Sequence, residues 1–258
     1  MTAGTTSGAT VGWSDDAIEF SVGVDPAGIA RITRFLAPGA RPGPTRGSGP
    51  AGPAGTASPQ EMGLPLVDVV LAGEGKTWSG RRYCESAAGT RLRYVGHQDS
   101  GEAAPAGDWR QLRVDLDDPV TGLRAEVFYR LLTGHGALRS WVRLVNRGPQ
   151  PVIVESVTSF LCGSLSGSGA APGVPDDLGV LDLRWAENDW LAEGRWQRRS
   201  LRDALPDLHR GAASADPRGA FGLTSTGTWS SGTFLPMGAV VNRGTGHAWI
   251  WQIEHQGA

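Results

Sequence analysis

The stretch Leu112-Arg113-Val114-Asp115-Leu116-Asp117 alternates an aliphatic residue with a charged one at every step. A period of two places the three aliphatic side chains on one side of an extended chain and the charges on the other, as in a strand with one buried face. Similar runs lie at residues 18–24, 29–36, 66–71, 91–97, 123–132, 138–146, 152–161, 181–185 and 247–254. Turn-forming residues separate them: Asp117-Asp118-Pro119, Thr121-Gly122, Gly134-His135-Gly136 and Asn146-Arg147-Gly148-Pro149. The last of these joins two apolar runs and predicts a hairpin between 138–146 and 152–161. Many strands at short spacing, with no long helical period, predict an all-β antiparallel fold, a sandwich or a barrel rather than βαβ units.

At 258 residues the chain is long enough to bury a substantial core. Its formal charge of −2 and pI near 6.2 argue against general attraction to nucleic acid or anionic membranes. No run approaches the roughly 18 apolar residues of a membrane span, and residues 1–13 lack the charged and apolar segments of a secretory leader. Cys84 and Cys162 are isolated, which favours reduced thiols and a cytoplasmic setting, with a single disulfide as the alternative.

Two segments interrupt the strand pattern. Residues 41–59 are almost entirely Gly, Pro, Ala, Ser and Thr, and residues 163–179 are similar. Both read as flexible loops within a single domain spanning 1–258, since only two strand runs precede the first.

Ten tryptophans invite a search for sugar-stacking surfaces. Trp141 and Trp249 fall within strand patterns, where burial is the simpler role. Trp185-Ala186-Glu187-Asn188-Asp189-Trp190, followed by Glu193-Gly194-Arg195-Trp196-Gln197, mixes aromatics, carboxylates, an amide and a guanidinium without strand alternation. Asn188, Asp189, Trp190, Arg195 and Trp196 are the candidate substrate-binding residues, because such groups stack on a sugar ring and bond its hydroxyls. The same residues can instead hold an irregular loop through a polar network. The five histidines show no metal-ligand spacing, and no Walker loop, G-x-S-x-G elbow or dinucleotide fingerprint occurs. No cofactor or metal is expected.

The block from Trp185 to Leu201 is similar to a stretch of bacterial family 36 glycoside hydrolases of the α-galactosidase type, with Ser200 where proline is often found. His209-Arg210-Gly211-Ala212-Ala213-Ser214 resembles the family's Arg-Gly-x-x-Ser turn, with Ala215 in place of a following histidine. Leu64-Pro65-Leu66-Val67-Asp68, the Gly73–Gly75 turn and Trp141–Gly148 also fit, the last a pattern shared by mutarotase-like sandwiches. The resemblance runs from about Leu64 to Gln256.

The resemblance implies an N-terminal β-supersandwich that packs against a catalytic (β/α)₈ barrel and supports its pocket, with α-galactosides as substrates and homo-oligomers among the relatives. Retaining hydrolysis in the family uses two barrel aspartates, the nucleophile following a Lys-Trp pair. Here the only lysine, Lys76, precedes Thr77, so no aspartate of this chain is assigned a catalytic role. The sandwich is also expected to continue past Ala258. Two other readings compete: a free-standing carbohydrate-binding module using Trp190 and Trp196, and a mutarotase-like epimerase, which would need histidines such as His97, His209 and His255 to converge with a carboxylate.

Overall fold

A computed structural model describes residues 10–39, 64–75, 86–105, 107–163, 179–205, 221–225 and 232–254. Residues 41–59, most of 163–179, Cys84, His209–Ser214 and His255 lie outside the described residues. The chain divides into two compact units, Met1–Leu165 and Ser166–Ala258.

In the first unit, β1 (Thr10–Ser14), β2 (Glu19–Val24) and β3 (Ala30–Leu36) form a three-stranded antiparallel sheet in that order. A short β4 (Val69–Leu71) and helix α1 (Ala87–Arg91) follow. Next come β5 (Arg93–Ala104), β6 (Gly107–Asp117), β7 (Leu123–Leu132) and β8 (Leu138–Asn146), a four-stranded antiparallel meander. The alternating stretch at 112–117 lies in β6, with Leu112, Val114 and Leu116 buried.

The inner faces of the two larger sheets share one core. Trp13, Phe20 and Val22 of the first sheet join Leu112, Val114, Val127, Tyr129 and Leu131 of the meander, with Leu66, Val67, Val69 and Leu71 alongside. Phe20 sits at the centre, its ring centroid 4.7 Å from Tyr129 and 5.8 Å from Trp13. Sheets packed through alternate side chains make a β-sandwich. The meander's other face is polar and aromatic: Arg124 pairs with Asp117 at 2.5 Å, Arg143 with Glu126, and Phe128 stacks on Trp141 at 5.0 Å. The predicted all-β antiparallel fold is thus observed.

Three expectations need correction. The run at 91–97 opens as helix: Ser86 accepts the Gly89 N–H as N-cap, and strand begins only at Arg93. Burial of Leu66, Val67 and Asp68 outside any ladder leaves only Val69–Leu71 as strand. The hairpin expected after β8 does not form. Asn146 ties down its own turn, accepting from Gly148 N–H and donating to the Gln150 carbonyl, while Pro149 and Pro151 have no N–H to offer a ladder. The chain then pairs β9 (Val154–Val157) with β4 instead.

Buried polar groups pin the loops. Asp68 accepts from the Ser86 N–H at 3.1 Å and from its hydroxyl, fixing the start of α1. Arg91, at the other end of α1, bonds Asp118 at 3.0 and 2.8 Å and Glu74 at 2.5 Å. Burial pushes the Asp118 carboxyl up, but bonds from Arg91, the Val120 N–H and the Thr121 hydroxyl, with the Arg91 charge, outweigh it and hold Asp118 below its usual range. Hydrogen bonding to Asp118 raises Arg91.

The Tyr129 hydroxyl is fully buried with no hydrogen-bond partner among the described residues, and burial raises its pKa. An unpaired buried hydroxyl costs stability that phenylalanine would not. Tyr129→Phe is expected to leave the melting temperature unchanged or raise it, by up to about 1 kcal/mol of stability. A thermal melt followed by near-ultraviolet circular dichroism checks this.

In the second unit, β10 (Leu181–Asp189), β11 (Ala192–Ser200), a turn of helix α2 (Leu201–Ala204), β12 (Thr233–Asn242) and β13 (Ala248–Gln252) follow in sequence. The strands form one antiparallel sheet in the order β11-β10-β12-β13. Leu183, Trp185 and Val240 are buried on one face, where Trp185 packs on Phe221 at 5.1 Å.

Candidate functional site

The segment that lacks alternation in sequence is a β-hairpin, which corrects its reading as an irregular loop. Asp189 stands opposite Ala192, leaving Trp190-Leu191 as a two-residue turn between β10 and β11. Neither residue is a usual turn former. The turn is held by its neighbours' side chains: Asp189 Oδ1 accepts from the Trp190 N–H at 2.8 Å, and Glu193 Oε1 from the Leu191 N–H at 3.2 Å. Asn188 Oδ1 accepts from the Gly194 N–H at 3.1 Å.

These bonds force Leu191 to φ 59°, a left-handed conformation that is strained for a residue with a Cβ. Nothing apolar covers the result. Trp190 is 77 % exposed and Leu191 84 % exposed. Leu191→Gly is expected to stabilise the protein by about 1 kcal/mol by relieving that strain. A denaturant titration reads the effect, and a lower midpoint would contradict it.

The structure gathers Asn188, Asp189 and Trp190 at the hairpin tip, with one oxygen of each polar side chain turned onto the backbone. It sets Trp196 apart. That residue lies opposite Ala186, about 13 Å along β11 from Ala192 at the usual strand rise, and is 55 % exposed. Arg195 pairs with Glu187 at 3.6 Å, both half in solvent, a contact worth about 1 kcal/mol or less. The candidate residues therefore form a tip and a separate platform, not one cleft.

Other polar residues of this sheet escaped the sequence reading. Asp182 is buried and accepts from Arg198 Nε at 2.7 Å, with Arg243 Nε at 3.3 Å. Arg184 lies directly opposite Arg198 on the same face. Asp182 and Arg184 do alternate with Leu181, Leu183 and Trp185 in sequence, and that was the available signal. Arg243 is distant in the chain and had none.

Elsewhere, His97 is exposed and its Nδ1 lies 2.6 Å from the Tyr94 hydroxyl, an arrangement local to β5. Among the described residues, no three His, Cys, Asp or Glu side chains are grouped to hold a metal ion, and no helix is long and apolar enough to cross a membrane.

No curated protein sequence matches the chain. Among solved structures, the α-galactosidase from Lactobacillus brevis superposes with a TM-score of 0.58 at 14% identity, over 91% of this chain and 31% of that one. The family 36 α-galactosidase AgaA from Geobacillus stearothermophilus gives 0.52 at 15% identity, over 91% and 32%. A variant of that enzyme solved with stachyose gives 0.54 at 16% identity, with the same coverage. The chain thus spans about a third of the length of these structures. Residues 47–163, a little under half of the chain, match the glycosyl hydrolase family 36 N-terminal domain, and that stretch is similar to an N-terminal region of that family.

Proposed function

We propose that this chain is the non-catalytic β-sandwich region of an α-galactosidase, supporting a catalytic barrel and shaping its pocket. The observation that carries this reading is the match of residues 47–163 to the family's N-terminal domain. The sandwich in the first unit and the likeness to α-galactosidases of about three times the length support it. The absence of a Lys-Trp pair is in keeping with chemistry carried outside these 258 residues. A cytoplasmic setting is consistent with the free Cys162, whose thiol burial pushes up to about 12.

Assaying the chain alone on an aryl α-galactoside tests the reading. No turnover above the blank is expected. Turnover lost on substituting one of the chain's own carboxylates would overturn it. The exposed Trp190 favours a second reading, in which the hairpin tip binds a saccharide directly. Calorimetric titration with raffinose separates the two: heat that disappears in Trp190→Ala supports binding by the tip, and no heat leaves the supporting role.

A further inference from the structure

Three arginines meet around one carboxylate in the second unit, on the sheet face opposite to Leu183 and Trp185. Asp182 is buried and both its oxygens are taken, Oδ2 by Arg198 Nε at 2.7 Å and Oδ1 by Arg243 Nε at 3.3 Å. The Arg198 and Arg243 side chains are themselves about half exposed, and Arg243 donates from one terminal nitrogen to the Gly179 carbonyl. Arg184, directly opposite Arg198 in the ladder, is exposed and makes no hydrogen bond or ion pair among the described residues. Three guanidiniums against one carboxylate leave a net charge of +2. Arg202 and Asp203 of α2, just beyond, cancel each other.

Facing charges are handled differently elsewhere in the chain. Arg124 faces Asp117, Arg143 faces Glu126 and Arg195 faces Glu187. Where Arg130 faces Arg139, Glu102 pairs with Arg130. Like charges opposed across a sheet destabilise it, and at Arg184 and Arg198 the neighbouring carboxylate is already shared. Asp182 instead holds two guanidiniums by their Nε atoms. Both terminal nitrogens of Arg198 and one of Arg243 are left unoccupied beside Arg184. Fixed guanidiniums in this state suit an anion that accepts paired N–H bonds. A phosphate monoester, with about two negative charges at pH 7, matches the local charge better than one carboxylate does.

An apolar border adjoins the arginines. Trp196 precedes Arg198 by two residues on the same face, about 7 Å along the strand, and is 55 % exposed. On the other side, Arg184 is followed across the sheet by Ala239 and then by the exposed Ile250. Ala186 and Ala239 carry nothing beyond Cβ, so the floor between Trp196 and Ile250 is low. A ring stacked on Trp196 must lie close to the phosphate. A hexose 6-phosphate, with one carbon between ring and phosphate ester, meets that spacing, whereas in a nucleotide a ribose intervenes.

We propose that Arg184, Arg198 and Arg243 form a binding site for a phosphorylated monosaccharide, with the phosphate on the guanidiniums and the sugar ring on Trp196. This does not depend on the functional reading above.

Isothermal titration calorimetry on the full chain, in low-salt buffer free of phosphate and sulfate, tests the site with glucose 6-phosphate. Saturable binding is expected, weakening as salt rises, with inorganic phosphate weaker and glucose giving no heat. Arg184→Ala should weaken glucose 6-phosphate about tenfold or more, because hydrogen bonds to a charged group are lost. Arg184→Lys should restore only part of that loss, since an ammonium cannot make the paired contact. Trp196→Ala should weaken the sugar phosphate severalfold and leave inorganic phosphate unchanged. Arg184→Ala also removes a like-charge contact, so it should melt no lower than wild type, which separates lost binding from misfolding. Absence of saturable binding by glucose 6-phosphate overturns the proposal. So does an affinity indifferent to Arg184→Ala, or adenosine monophosphate binding more tightly than the sugar phosphate.

Discussion

Replacing Arg91 by methionine is expected to lower the unfolding free energy by on the order of 3 kcal/mol, because it strands a buried carboxylate. The Asp118 side chain is wholly buried, and its two oxygens take both Arg91 bonds. The Val120 N–H and Thr121 hydroxyl also donate to it, which keeps the loss from being larger. Methionine preserves most of the apolar stem while removing the charge. Arg91 also reaches Glu74, so the substitution loosens the Gly73–Gly75 turn, the end of α1 and the β6–β7 turn together.

The same pair sets part of the acid limb. The folded Asp118 lies below its ordinary value of 3.8, so its ionised form stabilises the fold at neutral pH. That stabilisation starts to fall as pH drops past 3.8 and is gone once pH passes below the folded value. In Arg91→Met the fall should be shallower, since the interaction that lowers Asp118 has been removed. Urea midpoints of both proteins, from neutral pH down to the acid limb, check magnitude and slope. Equal midpoints at pH 7 would contradict the structural role given to Arg91.

Phe20→Ala is expected to cost about 3–5 kcal/mol, the range for deleting a buried aromatic ring. Phe20 is 1 % exposed and touches aromatic rings on three sides: Trp13, Phe35 at 6.3 Å and Tyr129. It meets Tyr129 of the meander from the first sheet, so the resulting cavity would lie between the two sheets. Chemical denaturation measures the loss. A variant within about 1 kcal/mol of wild type would mean that the two sheets do not share this core.

Where one face of a strand is buried and the other wet, the sequence was a reliable guide. Residues 123–132 and 138–146 were delimited as they stand in β7 and β8. Reading failed where that physics changes. In β10, Leu181, Asp182 and Leu183 are all buried, as are Trp185 and Ala186, so alternation vanishes beyond 185. The following turn relies on carboxylates bonding amides, where glycine or asparagine would have advertised it. β12 was not anticipated, because Pro236 and Gly238 argue against a central strand. Pro236 faces the register shift between Trp185 and Glu187, where the ladder is already broken. A side chain at Gly238 would collide with Trp251, which explains the glycine only once the fold is known.

The candidate residues were legible as a cluster but not as a geometry. Composition flagged Asn188, Asp189, Trp190, Arg195 and Trp196 together. Only the hairpin shows that Asn188 and Asp189 are engaged with the backbone, and that the two tryptophans are not neighbours.

The pairing of β4 with β9 has a consequence for the order in which the chain folds. Strands β5 to β8 are linked by short turns, so each pairing closes a small loop at little entropic cost. β4 must find β9 across the whole meander, Val69 meeting Val157. Contacts so far apart in sequence form slowly and late. The amides that join Val69–Leu71 to Val154–Val157 are accordingly expected to gain protection after the meander during refolding, and to be among the first of the first unit's ladders to exchange with deuterium in the native state.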